Sequence, residues 1–154
     1  QQSGYSNLML AASLSGTTLA NSGLGAVHGL AGPIGAFFKA PHGIVCARLL
    51  APITQENIES LEQNKTEHAK KTLYKYQQVS QLFNPDLTQN ALLPGLVKTL
   101  NDYAKQYTPQ GLSEYGLNND DIQTIINHCR TGSMLGNSVV LTDKQLSRAI
   151  KKSF

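Results

Sequence analysis

Charge is nearly missing from the first third of this sequence. Of its 13 basic and 10 acidic residues, none precedes Lys39. Arg48 comes next, and the first acid is Glu56. With no basic stretch near the start, a secretory signal peptide fits poorly. The cleanest uncharged run, 23–38, holds His28, Pro33 and five glycines. It is too short and too interrupted for a membrane span, which needs about 20 mostly apolar residues. Cysteine is scarce as well. Cys46 and Cys129 form no paired framework and no C-x-x-C, so they read as two buried thiols in a reducing cytosol. The net charge of +3 is mild and its cations are unclustered, which excludes a nucleic-acid footprint.

What is present describes one ordinary domain. A chain of 154 residues can bury a core without staples, and 40% hydrophobic against 15% charged residues excludes disorder. No alternation of period two lasts five residues, and the nearest approach is 137–141. Helical spacing recurs instead. It runs through Ala69, Leu73, Tyr76, Ser80 and Phe83, then through Leu93, Leu96, Val97, Leu100, Ala104 and Tyr107. It returns in Ile122, Ile125, Ile126 and Cys129, and again in Leu146, Ala149 and Ile150. Thr142 with Gln145 forms a capping box, and Asn118 ahead of Asp120-Asp121 offers a cap at a helix start. The uncharged front also reads as helix, from Asn7 to Asn21 with Gly23 as its stop, buried or facing a ligand on most sides. Pro41 opens another helix toward Leu50, which Pro52 kinks or ends. The expectation is an all-α fold of about six or seven helices in a single domain spanning 1–154.

The stretch 22–50 carries the chemistry. His28 and His42 lie 14 positions apart, each followed by glycine. On a helix, Gly25, Gly29 and Gly32 form a stripe without side chains, and a ligand, a cofactor or another helix can approach such a stripe closely. Two plainer readings compete, since a glycine stripe usually means helix packing and a lone histidine is usually a core residue bonded to a carbonyl. The lack of any acid nearby tilts toward a site, because a buried imidazole pair makes sense around a dication whose other ligands come from elsewhere. His68 and the adjacent Lys70-Lys71 read as solvated. His128 does not share a helix face with Cys129.

The segment Gly23-Leu24-Gly25-Ala26-Val27-His28-Gly29-Leu30-Ala31-Gly32-Pro33-Ile34-Gly35, followed by Pro41-His42-Gly43, resembles the iron-containing (group III) alcohol dehydrogenase family. The likeness is to the helical C-terminal domain of that family, whose fold is like dehydroquinate synthase. It continues through Leu49-Leu50-Ala51-Pro52, Leu112-Ser113-Glu114-Tyr115-Gly116, Ser133-Met134 and Asn137 to Leu141-Thr142. The resemblance implies that His28 and His42 are two ligands of a divalent metal, Fe²⁺ or Zn²⁺. The family's Asp and first His, and its nucleotide-binding domain, would lie upstream and have no counterpart here. Gln1 in place of Met agrees with a processed chain or a piece of something longer. Gly32 stands where many members carry a further histidine, and Asn137-Ser138 stands where many read Asn-Pro.

The implied activity is hydride transfer between NAD or NADP and a small alcohol or aldehyde at the metal. The nicotinamide cofactor would be held mainly by the absent domain. Gly29 and Gly32 would give its ring room. Phe37, Phe38, Ser133 and Met134 are weaker candidates for the substrate pocket, and the two phenylalanines read equally well as core. The expected partners are the missing nucleotide-binding domain, the small substrate and, as an option, a second copy of the chain; nucleic acid and membrane are not expected. The chain alone should be inactive. A non-catalytic helical scaffold or protein-interaction module is the alternative, with the glycine-striped front as its interface.

Overall fold

Where apolar residues recur every three to four positions, the chain folds as helix. The computed structural model describes residues 2–154, with side chains from Ser3 onward. The described residues form seven α-helices and no strand. They are α1 (Gln2–Ser22), α2 (Ala26–Phe38), α3 (His42–Gln63), α4 (Glu67–Phe83), α5 (Leu92–Tyr107), α6 (Ile122–Cys129) and α7 (Asp143–Lys151), with four short 3₁₀ turns between the later ones. The stretch 137–141, nearest to a strand in pattern, is irregular.

The capping expectations hold. Thr142 accepts from the Gln145 amide while the Gln145 side chain accepts from the Thr142 amide. Asn118 and Asp121 form the same reciprocal arrangement ahead of α6. Thr66 caps α4 by accepting from the Ala69 amide at 3.2 Å. Each such cap satisfies a backbone donor that the helix start leaves unpaired.

One core gathers α2, α3, α6 and α7. Leu30 and Ile34 of α2 meet Val45, Leu49 and Ile53 of α3, Ile125 and Ile126 of α6, and Leu146 and Ile150 of α7. Leu112, Leu117, Met134 and Leu141 close it from the loops. On another side of α3, α4 and α5 pack against it and against each other. Ser80, in the apolar stripe of α4, is buried and donates to the Leu92 carbonyl. Glu56 of α3 is fully buried, and Arg148 of α7 grips it through Nε (3.0 Å) and Nη2 (2.5 Å). A buried carboxylate is tolerated only when paired, so this fork fixes α7 on α3.

Two expectations need correction. Pro52 does not end its helix, since α3 continues to Gln63. Proline in a helix interior costs about 3 kcal/mol. Here it sits among Leu49, Ala51, Ile53 and Ile58, all buried, and their packing offsets that cost. The front is also not buried throughout. Every residue from 3 to 22 is exposed, while Ala26, Gly29, Leu30, Ala31 and Ile34 of α2 are buried. No helix among the described residues is long and apolar enough to cross a membrane.

Candidate metal centre

α2 and α3 are joined by three residues, and Lys39 turns the chain at φ 53°, its amide bonded to the Gly35 carbonyl. Pro41 then sets the start of α3, with His42 as its first residue. This connection brings the His42 ring to His28, with centroids 5.2 Å apart and planes at 50°. Cys46 lies one helical turn after His42, on the same face. Its sulfur is 3.4 Å from His42 Nε2. One donor atom from each of His28, His42 and Cys46 fits within 4.8 Å of the others, and among the described residues no other group of three such donors lies so close.

The environment is only partly dry. His42 is exposed, while His28 and Cys46 are half-buried, so the imidazoles are not the buried pair that the charge-poor sequence suggests. Burial holds the His28 pKa below its ordinary value, and the nearby His42 charge adds to the shift. Both effects favour the neutral imidazole, the form that binds a metal. Burial pushes the Cys46 thiol up. No carboxylate belongs to the cluster. Two imidazoles and a sulfur, within reach of one centre, fit a borderline divalent cation.

A cavity of about 420 Å³ opens beside His28 and Cys46, with Val27, Leu50 and Ile53 among its apolar walls. Its polar side is an amide network. Asn137 Nδ2 donates to Asn57 Oδ1 at 2.7 Å and to the Val139 carbonyl at 2.8 Å. Asn137 Oδ1 accepts from the Ala26 amide at 3.1 Å, at the first residue of α2. Asn57 Nδ2 donates to the Tyr76 hydroxyl at 3.2 Å. Asn137 therefore ties the start of α2, which carries His28, to α3 and, through Asn57, to α4.

The remaining candidates separate. Gly29 is buried, and a Cβ there would stand 2.9 Å from Met134 Cβ, so its cleared face receives the Met134 side chain and leaves no room for a cofactor ring. Gly25 likewise meets Asn137, whereas Gly32 faces open space. Phe37 stacks edge-on against His128 at 5.2 Å, and Phe38 packs on the core. Met134 fills the space over Gly29, and Ser133 borders a separate groove with Leu19 and Gly23. None of Phe37, Phe38, Ser133 and Met134 lines the cavity beside His28. Cys46, Asn57 and Tyr76 were missed as site residues. The i, i+4 spacing of His42 and Cys46 was the available signal for the first.

Residues 3–154 match the sequence model of the Fe-containing alcohol dehydrogenase family, C-terminal region. The chain belongs to that family. Alcohol dehydrogenase 4 of Saccharomyces cerevisiae is 30% identical over 147 residues, covering 92% of this chain and 34% of the yeast protein. Lactaldehyde reductase of Escherichia coli is 44% identical over 46 residues, 30% of this chain and 12% of that protein. A crystal structure of 1,3-propanediol oxidoreductase superposes with a TM-score of 0.74 at 20% identity, covering 92% of this chain and 35% of the other, and shares its fold. The chain thus spans about a third of the yeast dehydrogenase and of the superposed structure. As a member of the alcohol dehydrogenase family it carries the all-α architecture expected from its sequence.

Proposed function

We propose that this chain is the metal-binding wall of an NAD(P)-dependent oxidoreductase acting on a small alcohol or aldehyde, with His28 and His42 as two of the metal ligands. The meeting of the two rings at 5.2 Å carries the reading, because they lie 14 positions apart in sequence with a helix break between them. When bound, Fe²⁺ or Zn²⁺ would polarise the substrate oxygen and lower the pKa of the alcohol. His28 and His42 would hold the ion as neutral imidazoles. Asn137 would keep His28 in place by anchoring the first turn of α2. Val27, Leu50 and Ile53 would limit water beside it. Gly32, with nothing within 4 Å of its missing Cβ, would leave room for the nicotinamide ring. A nucleotide-binding domain would complete the enzyme by supplying the dinucleotide and the remaining ligands, and a reducing cytoplasm would keep Cys46 free.

The test is metal content and alcohol oxidation after joining the chain to the nucleotide-binding half of a family relative. His28→Ala and His42→Ala should each lower metal affinity by more than the roughly 10–100-fold that changes around a ligand cost, and should abolish turnover. Unchanged metal content in both variants overturns the assignment.

A further inference from the structure

We propose that Cys46 is a third metal-binding side chain, so that His28, His42 and Cys46 together form an N₂S site able to hold a thiophilic divalent cation within these 154 residues. The inference rests on the reading of His28 and His42 as ligands and adds the sulfur to it. Geometry carries it. With metal–nitrogen bonds near 2.0 Å and a metal–sulfur bond near 2.3 Å, a tetrahedral centre puts nitrogen and sulfur about 3.5 Å apart. His42 Nε2 and Cys46 Sγ already stand 3.4 Å apart. The longest separation in the trio is no more than 4.8 Å, which small side-chain rotations close.

Position supports the assignment. His42 and Cys46 share a face of α3 one turn apart, a spacing that lets two helix side chains grip one ion. His28 reaches in from α2. With His42 exposed, one side of the trio faces solvent and leaves room for the remaining ligands or a substrate oxygen. The donor set also bears on metal choice, because a thiolate favours zinc and cobalt over harder cations. On binding, the sulfur–metal bond forms as the thiol proton passes to solvent, with no change in oxidation state.

Cobalt(II) reports the sulfur directly. Titrated into the 154-residue chain, Co²⁺ should bind one per chain, with visible ligand-field bands and a near-ultraviolet thiolate-to-cobalt charge-transfer band. Cys46→Ser should remove the charge-transfer band and weaken binding by more than the roughly 10–100-fold that changes around a ligand cost, and Cys46→Ala should do the same. Cys129→Ser should leave both unchanged, since that thiol is buried and donates to the Ile126 carbonyl. Far-ultraviolet circular dichroism confirms that each variant keeps its helices. Cobalt bound without the charge-transfer band, or a band that survives in Cys46→Ser, overturns the role of Cys46 and leaves the histidines standing. No binding at all overturns the three-donor site. Undiminished binding in both His28→Ala and His42→Ala overturns the histidine reading itself.

Discussion

α1 and α2 are neighbours in sequence, and both are free of charged residues, yet they meet opposite fates. α1 runs 21 residues with every side chain from Ser3 onward exposed, including Leu8, Met9, Leu10 and Leu14. α2 runs 13 residues and buries five. The difference lies in arrangement. In α2, Ala26, Leu30 and Ile34 repeat at four-residue intervals, so they form one face that can press on α3 and α6. In α1, the large apolar residues fall at 5, 8, 9, 10, 14 and 19, which distributes them around the helix. Lack of charge permits burial, but periodicity decides it. The glycines of α2 repeat the lesson on a smaller scale, since Gly29 is pressed against Met134 while Gly32, less than a turn away, is open.

The strongest test of the contrast is Leu30→Ala. Leu30 is fully buried at the centre of the core, and its truncation leaves a cavity. It should lower the unfolding free energy by about 2–5 kcal/mol, read as a reduced urea midpoint at unchanged slope. A loss below about 0.5 kcal/mol would show that α2 is no better anchored than an ordinary surface helix.

The two glycines offer a paired test of intermediate size. In Gly29→Ala the new methyl would meet Met134 Cβ at 2.9 Å and its Cα at 3.1 Å, so a backbone atom as well as a flexible side chain must shift. Overpacking of this kind costs about 1–3 kcal/mol, reduced by the better helix propensity of alanine. Gly32→Ala meets nothing and should instead stabilise the chain by about 0.5–1 kcal/mol. Thermal unfolding of the two variants should therefore move in opposite directions. Matching shifts would mean that the glycine stripe does not divide into a packed end and an open end.

The same contrast marks what could be read from the sequence. Local rules located α4 to α7, because their apolar spacing and the caps at Thr142 and Asn118 act within a few residues. At Pro52 they left a kink or an end open, and the helix runs on through it to Gln63. They could not say which face of α2 would be open, because Met134 and Asn137 arrive from more than a hundred residues away. His28 and His42 were legible from their glycine neighbours and the likeness to a family. Cys46 was read only as a buried thiol, so its place one turn from His42 went unread.

The smallest expected effect concerns α1, and it is the most exposed part of the comparison. Leu10 is 59% exposed and Leu14 58% exposed. Alanine is as good a helix former as leucine or better, and truncation of an exposed side chain removes little buried surface. Leu10→Ala and Leu14→Ala should therefore each change unfolding stability by less than about 0.5 kcal/mol. The urea transition of each variant, measured beside that of Leu30→Ala at several protein concentrations, checks this. A loss of 1 kcal/mol or more that grows with concentration would mean that these leucines are covered in solution by another copy of the chain. α1 would then be buried as α2 is, through contacts between chains rather than within one, and its scattered apolar pattern would mark a surface covered from several sides.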